Sequence, residues 1–300
     1  MPNLFIKAAE AVRIKMGLGN NVDKQYLDLL EKVFKTGEDI EGRNGMVRKT
    51  FGHMMEFDHE EGYPIPTSKK TLHGAAVAEM TAFIRGESSN KKFMDLGCNV
   101  WKGNCFADYW MSNPNNKKPG DDLGRIYGVQ WRQWDGGIDQ LKELVDTLMT
   151  NPHDRRMIVS SWNPTDMDKM SLPPCPVLFQ VFVRDGKYLD FALYQRSCDM
   201  FLGVPFDIVG YSYLQTVIAK LTGYKPGKFK YFLADTHIYH NHFEQVKEQL
   251  GNRLKTFPLP KAELDWPSTD MNITLESFSP EDFKLVGYKS QRFIKAPMSA

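Results

Sequence analysis

The sequence predicts a protein of the mixed α/β class. Two apolar, aromatic-rich runs, 177–184 and 187–195, are typical of strands, and the Asp-Gly dipeptide at 185–186 suits the two-residue turn of a hairpin. Apolar residues at helical spacing predict helices over 26–34 and 208–222. With 42% hydrophobic residues among 300, the chain can bury a sizeable core.

Charge and cysteine content narrow the functional classes. The formal net charge of +1 gives no general electrostatic reason to expect a nucleic-acid or membrane partner. The four cysteines, Cys98, Cys105, Cys175 and Cys198, form no CxxC pair, which suits a reducing cytoplasm. The N-terminus lacks the continuous apolar core of a signal peptide. We therefore expect a soluble cytoplasmic protein.

The first part of the chain is predicted to be an arm followed by a helix and a strand. Glycine and asparagine breakers separate the arm, residues 1–22, from a helix that Gly37 ends. A strand is predicted over 49–57. The Gly-Arg-Asn-Gly loop before it is flexible enough to wrap an anion, although an arginine between glycines is also common in exposed turns. Arg43 is therefore a candidate anion ligand.

The next helix, predicted over 72–84, contains an unusual carboxylate. Glu79 lies among apolar residues at helical spacing, so it is either a helix-edge side chain that reaches solvent or a buried acid. Burial would raise its pKa into a range useful for proton transfer. The aromatic- and Asn-rich segment 98–120 is predicted to be an insertion or a lid, and a further helix follows over 138–148.

Two adjacent arginines precede the next strand, which is predicted over 157–162. Arg155 and Arg156 are either solvated charges or a fork that holds a phosphate group. A longer strand is predicted over 228–238, and a last one from Val286 onward.

Three histidines lie at the end of the 228–238 strand. If the strand continued, His240 and His242 would share the face opposite His237. No acidic residue or cysteine completes a ligand set in this segment, so we expect no bound metal.

A lone cysteine and an arginine come together at the two ends of the predicted hairpin. Its register carries Cys175 and Arg196 to the same edge of a sheet. A thiol is a poor nucleophile until it ionises, and a nearby guanidinium stabilises the thiolate. Cys175 is therefore either the nucleophile of a covalent mechanism or a small buried hydrophobic residue, as a free cysteine usually is.

Several longer motifs occur in a recognisable order. The main ones are LPPC, YQRSCDMFLGVPF and ADTHIYHNH, accompanied by GRNG, GRIYGVQW, DRRMIVSSWNP and FIKAPMSA. From about Gln25 to Ala300 the chain resembles the thymidylate synthase family. The resemblance implies one catalytic domain over 23–300, a mixed sheet packed by helices, and a homodimer formed through the sheet.

The resemblance also implies roles for the candidate residues. Cys175 would add to C6 of a pyrimidine nucleotide, with Arg196 stabilising the thiolate and holding phosphate, while Glu79 and Tyr127 shuttle protons. Further substrate-binding residues would be Arg43, Arg155, Arg156, Gln195, Ser197, Asp199, His237 and Tyr239, with Arg155 and Arg156 entering the partner's site. The co-substrate 5,10-methylenetetrahydrofolate would contact Lys69, Trp101, Asn104, Asp199, Leu202, Gly203, Phe206 and Ala300.

Asp207, which we also count as a catalytic and substrate-binding residue, departs from the family pattern. The uracil enzymes of the family have Asn here, whose amide donates to O4 and accepts from N3–H. Cytosine reverses that edge, with an amino donor at C4 and an acceptor at N3. A carboxyl group that shares one proton with N3 matches cytosine. A base with the opposite donor–acceptor order would leave buried polar groups unpaired, which could disfavour that base by roughly 10⁴-fold. Asp207 therefore predicts cytosine as the base.

Further departures concern the access of water. Pro176 stands where the synthases usually have His, and alignment on Trp101 puts Asn104 in place of a second tryptophan. The chain end at 298–300 is also less apolar than is usual in the synthases. Fewer aromatic walls and an additional amide would admit a water molecule. The alternative is that a diverged lid still excludes water.

We therefore predict a deoxycytidylate 5-hydroxymethyltransferase, with methylation of dCMP as the alternative and dUMP methylation as a third, disfavoured reaction. A catalytically silent nucleotide-binding protein is a different class, and the presence of Cys175, Arg196, Glu79 and Tyr127 argues against it. Such hydroxymethyltransferases are typical of phages that modify their DNA precursors, which would place the protein in an infected bacterial cytoplasm.

Overall fold

Helices pack on a mixed sheet in the computed structural model, which describes residues 2–266 and 273–298. The helices are α1 (Pro2–Lys15), α2 (Asn21–Thr36), α3 (His73–Ile84), α4 (Asn90–Asp95), α5 (Lys102–Cys105), α6 (Asp108–Met111), α7 (Tyr127–Arg132), α8 (Gln140–Thr150), α9 (Gly203–Thr222) and α10 (Phe243–Leu250). The strands are β1 (Glu38–Gly42), β2 (Gly45–Asp58), β3 (Ile158–Ser160), β4 (Pro176–Arg184), β5 (Tyr188–Asp199), β6 (Lys225–Tyr239), β7 (Lys261–Leu264) and β8 (Phe283–Val286). The predicted fold class is confirmed.

Six of these strands form the main sheet, in the order β1-β2-β6-β5-β4-β3. Strands β5 and β6 are parallel, and the other neighbouring pairs are antiparallel. A parallel pair needs a crossover connection, which α9 supplies. As a result, the carboxyl ends of β5 and β6 lie side by side, with Asp199 opposite His237.

Local sequence explains the elements that position the site. The β4–β5 hairpin turns at Asp185 and Gly186, whose φ angles of 56° and 62° are the positive values of a type I′ turn. Helix α2 begins after Asn20, whose side chain accepts from the backbone N–H of Asp23, and it ends at Gly37 as predicted.

The core lies between the sheet and helices α3 and α9. Helix α9 is buried along most of its length, so its sequence is apolar on nearly every side and lacks the one-sided pattern of a surface helix. The opposite face of the sheet exposes large apolar side chains. Among them, Met54 and Tyr194 lie on either side of Phe232 in the strand register.

Several boundaries differ from the prediction. Strand β1 was not predicted because its residues are exposed and mostly polar. Helix α9 starts five residues before the predicted Ile208, at Gly203. The last strand, β8, ends at Val286, so a strand that begins there is wrong. The segment His240–His242 forms a 3₁₀ turn, which invalidates the argument about faces of a continuing strand.

The N-terminal arm contains helix α1, which is attached to the rest of the protein through buried charges. Glu10 on α1 is 3% exposed and accepts a hydrogen bond of 2.9 Å from Arg253. The same guanidinium also pairs with Asp28 and Glu31 on α2. Arg13 adds a bond of 3.0 Å to the carbonyl of Thr256.

Candidate active site

A cavity of about 440 Å³ opens between α3, the start of α9, the ends of β5 and β6, and the C-terminal segment. It collects most of the candidate residues from distant parts of the chain. The candidates that line it are Lys69, Glu79, Trp101, Asn104, Tyr127, Cys175, Gln195, Ser197, Asp199, Leu202, Gly203, Phe206, Asp207, His237 and Tyr239.

Cys175 lies in the loop that leads into β4, and its side chain faces the cavity. Its backbone N–H donates to the hydroxyl of Tyr127 over 2.9 Å, so the tyrosine proton itself stays available for another acceptor. Burial raises the pKa of the Cys175 thiol, and the positive charge of Arg196 opposes this only in part. The expected stabilisation of the thiolate by Arg196 is therefore present, but burial outweighs it in the protein without substrate.

Arg196 follows the cavity-lining Gln195 on β5, and its guanidinium is directed towards the loop before Cys175. Its Nε donates to the carbonyl of Pro174 over 2.7 Å, and its Nη2 donates to the carbonyl of Pro173 over 3.0 Å. The backbone N–H of Arg196 also donates to the carbonyl of Cys175 over 2.9 Å. Arg196 therefore ties the loop that carries the thiol to β5.

Glu79 faces the cavity from α3, which decides between the two alternatives in favour of the enclosed acid. The indole N–H of Trp101 donates to its Oε1 over 2.7 Å. Burial, together with the nearby Asp207 charge, raises the pKa of Glu79 to about 8, although the indole bond opposes the shift. A carboxyl group with this pKa can both accept and donate a proton near neutral pH.

Asp207 lies in the first turns of α9 and forms part of the cavity wall. Its Oδ2 accepts from the side-chain amide of Gln195 over 3.0 Å. Burial raises the pKa of Asp207 to about 7, the Gln195 bond lowers it, and the charge of Asp199 raises it. The cavity therefore holds a second carboxyl group whose pKa is raised towards neutrality.

His237 and Tyr239 line the cavity from the end of β6. The Nδ1 of His237 lies 3.1 Å from Oδ1 of Asp235, whose Oδ2 accepts from Lys49 over 2.7 Å. Because Asp235 holds Nδ1, the other ring nitrogen of His237 is free to act as an acceptor or donor at the site.

Asp199 closes the connection between β5 and α9. Its Oδ1 accepts from the backbone N–H groups of Phe201, over 2.9 Å, and Leu202, over 3.3 Å. This carboxylate therefore fixes the entry of the helix that carries Asp207.

One end of the cavity is apolar, with the buried amine of Lys69 beside it. Apolar side chains of the C-terminal segment complete a wall formed by Trp101, Leu202 and Phe206; these additional residues are Phe293, Ala296 and Met298. Lys69 is 6% exposed, donates to the carbonyl of Phe201, and has its pKa lowered to about 7 by burial. Such a wall suits a flat aromatic ligand that also carries negative charge.

Besides Arg196, which does not line the cavity itself, four candidates lie away from it or outside the described residues. Arg43 lies in the turn between β1 and β2, where it is exposed and donates to Oδ1 of Asn44 over 3.1 Å. Arg155 and Arg156 are exposed just before β3, and Arg156 pairs with Asp154. Ala300 lies outside the described residues.

Two tyrosines at the site were not predicted. Tyr211 lines the cavity four residues after Asp207, at the spacing of one helical turn. Tyr231 is fully buried, and its hydroxyl donates to Oε1 of Gln195. It lies on β6 an even number of residues before His237, so strand alternation could have placed it on the same face.

Within residues 2–266 and 273–298, no three His, Cys, Asp or Glu side chains come close enough to hold a metal ion. The described helices are all too short or too polar to cross a lipid bilayer.

Comparison with known families agrees with the geometry of the cavity. The sequence model of thymidylate synthase matches residues 24–300, which is most of the chain. Members of this family are transferases that bind a nucleotide and a folate. The chain therefore belongs to the thymidylate synthase family, which transfers a one-carbon unit from methylenetetrahydrofolate to C5 of a nucleotide.

Proposed function

We propose that the protein hydroxymethylates dCMP at C5, using methylenetetrahydrofolate and water. The observation that carries the choice of base is the carboxyl group of Asp207 on the cavity wall, hydrogen-bonded to Gln195 and with a pKa of about 7. An acid with this pKa can share one proton with a ring nitrogen at neutral pH.

The edge of the base provides the argument for cytosine. Its C4 amino group donates and its N3 accepts, so it needs one acceptor and one proton on the protein side. Asp207 supplies both when it is protonated on one oxygen. An ionised carboxylate opposite the O4 of uracil would instead place two acceptors against each other, and the neutral acid would pair with uracil only if its proton lay on the oxygen that faces O4.

The side chains around the thiol support a covalent mechanism. Cys175 forms the bond to C6 as its proton leaves, and this makes C5 electron-rich. Glu79 and Tyr127 then hold and move protons at the ring, because Glu79 has a pKa near neutrality and the Tyr127 hydroxyl, which accepts from the backbone of Cys175, can still donate its own proton. Arg196 stabilises the thiolate and positions its loop.

The rest of the cavity suits the two small molecules. Ser197 and Asp199 would bind the nucleotide beside Gln195, and His237 with Tyr239 would bind its sugar. When bound, methylenetetrahydrofolate supplies the one-carbon unit. Addition of hydride to that unit would then give a methyl group, whereas addition of water would give a hydroxymethyl group. The residues proposed to hold this co-substrate are Lys69, Trp101, Asn104, Asp199, Leu202, Gly203, Phe206 and Ala300.

Hydration is supported by what lines the cavity beside the thiol. Pro176 is buried there and offers no N–H and no polar side chain, while the amide of Asn104 faces the same space. An amide can hold a water molecule that an aromatic ring in its place would exclude. Segment 98–120, which includes Asn104 and is anchored by the buried Trp110, would act as a lid.

We also propose a homodimer through the exposed face of the sheet. Met54, Tyr194 and Phe232 form an apolar row on that face, which is typical of a surface covered by a partner. In such a dimer Arg155 and Arg156 would enter the partner's site, and Arg43 would close on phosphate. The catalytic domain would comprise 23–300, with residues 1–22 as an appended arm.

A product assay tests the reaction. The protein is incubated with methylenetetrahydrofolate and dCMP, dUMP or CMP, and the product nucleotide is analysed by mass spectrometry while dihydrofolate absorbance is followed. A dCMP product heavier by CH₂O without dihydrofolate supports hydroxymethylation. A gain of CH₂ with dihydrofolate shows methylation instead, and a reaction with dUMP alone contradicts the cytosine assignment.

The role of Asp207 is tested by Asp207→Asn. We expect the ratio of kcat/KM for dCMP to kcat/KM for dUMP to fall about 10- to 100-fold, because the donor and acceptor are exchanged in one or two hydrogen bonds to the base. Asp166→Asn is the control because Asp166 is also a carboxylate with little exposure, at 2%, but it pairs with Arg125 away from the cavity. An unchanged ratio in Asp207→Asn would contradict the proposal.

A further inference from the structure

A chain of three side chains connects β6, β5 and α9 behind the cavity. The hydroxyl of Tyr231 donates to Oε1 of Gln195, and Nε2 of Gln195 donates to Oδ2 of Asp207 over 3.0 Å. Tyr231 is fully buried and Gln195 is 2% exposed, so water does not compete for these bonds. We call this chain the relay.

The surroundings allow the Gln195 amide only one orientation. Its Nε2 also donates to the carbonyl of Ser197 over 2.9 Å, and a carbonyl can only accept. A flipped amide would place its oxygen against this carbonyl and against Asp207, and the Tyr231 hydroxyl would lose the acceptor to which it now donates. The amide therefore presents a donor to Asp207, and Tyr231 helps to keep it in that orientation.

This orientation decides where a proton on Asp207 resides. Oδ2 already accepts a hydrogen from Gln195, so the proton of the neutral acid belongs on Oδ1. The carboxyl group then presents a donor and an acceptor in a fixed order. Without that constraint the proton could sit on either oxygen, and a carboxylic acid with a free choice can match cytosine in one form and uracil in the other.

We infer that Tyr231, acting through the relay, is a specificity-determining positioning residue: it fixes the donor–acceptor order of Asp207, and that fixed order lets the site discriminate between cytosine and uracil. The inference rests on the proposed preference for dCMP. Tyr231 does not line the cavity among the described residues, so it affects the base only through its neighbours.

The test is the ratio of the dissociation constants for dCMP and dUMP, measured by calorimetry at pH 7. Tyr231→Phe keeps the ring stacked on Phe229, with centroids 5.5 Å apart, and removes only the hydroxyl. We expect the preference for dCMP to fall about tenfold, the effect of one lost hydrogen bond.

Tyr63→Phe is the matched control. Tyr63 is 2% exposed and donates to the carbonyl of Val209 over 2.6 Å, remote from the cavity lining. It should lower the melting temperature about as much as Tyr231→Phe, but leave the dCMP preference within twofold. If Tyr231→Phe does not fold, Gln195→Met carries the test, because it keeps the side-chain length and removes both amide groups from the relay.

The outcomes separate this inference from the proposed function. A wild-type protein that prefers dUMP contradicts the proposed function and this inference with it. If the wild-type protein prefers dCMP and Tyr231→Phe, or Gln195→Met in its place, changes that preference by less than twofold, the relay is overturned but the proposed function is not. A tenfold loss that Tyr63→Phe does not share supports it.

Discussion

The affinity for dCMP should depend on pH through Asp207. Burial raises the pKa of this carboxyl group to about 7, so the neutral form predominates below that pH and the charged form above it. The proposed complex needs one proton between Asp207 and N3 of the base. Binding should therefore be strong just below pH 7 and should weaken as the pH rises through about 7.

The size of the effect follows from the pKa. Above it, each pH unit weakens binding up to tenfold, so the dissociation constant should rise about 50-fold between pH 7 and pH 9. Glu79, Asp199, Tyr231 and Cys175 also face this region. Glu79 has a pKa of about 8, and its charge, as it forms, opposes ionisation of Asp207 and makes the dependence shallower than the ideal value.

Calorimetry in two buffers of different ionisation enthalpy measures both the affinity and the proton uptake. We expect close to one proton to be taken up with each dCMP at pH 8 to 9. The second ionisation of the phosphate occurs near pH 6, below this range. Asp207→Asn should bind dCMP with no such dependence. A wild-type affinity that is flat or increases between pH 7 and pH 9 would refute the shared proton.

Two further predictions concern the thiol and the packing behind it. Cys175→Ser should stop turnover and prevent a covalent adduct with 5-fluoro-dCMP and folate in denaturing mass spectrometry, while dCMP still binds; an adduct in the variant would exclude Cys175 as the nucleophile. Gly128→Ala should destabilise the protein by about 1–3 kcal/mol in denaturant unfolding, because the new Cβ would lie 2.3 Å from the carbonyl oxygen of Phe83. Gly74→Ala has open space around its Cβ and should change stability little, so equal losses in both variants would contradict the packing argument.

The elements best predicted from the sequence are those with strong local signals. The Asp-Gly turn fixed the β4–β5 hairpin because positive φ angles at 185–186 admit few residue types. Strand β1 has no such signal, since its pairing with β2 depends on residues elsewhere in the chain. The start of α9 was placed too late because Gly203 and Pro205 resemble breakers, although proline is tolerated in a first helical turn.

The site shows the same division between local and distant information. Motifs identified the cavity residues Cys175, Glu79 and Asp207. They did not identify Tyr231, which hydrogen-bonds to Gln195 beside Asp207. Tyr231 occupies an aromatic-rich strand, where a buried ring is sufficient explanation, and its hydroxyl matters only because β6 lies beside Gln195 on β5. The raised pKa of the Cys175 thiol could not be predicted either, since it depends on burial.

The attachment of Arg196 links two events that are usually described separately. Its Nε and Nη2 hold the carbonyls of Pro174 and Pro173, and these residues lead directly to the thiol. An anion that drew the whole guanidinium away would release that loop and misplace the sulfur atom. If Arg196 binds the nucleotide phosphate as proposed, it can do so without releasing the loop only through the N–H groups that make neither bond, which are the two on Nη1 and the second on Nη2. Under the proposed roles, binding of the phosphate and the position of the nucleophile would therefore be coupled, and a lysine at 196 could not provide both contacts at once.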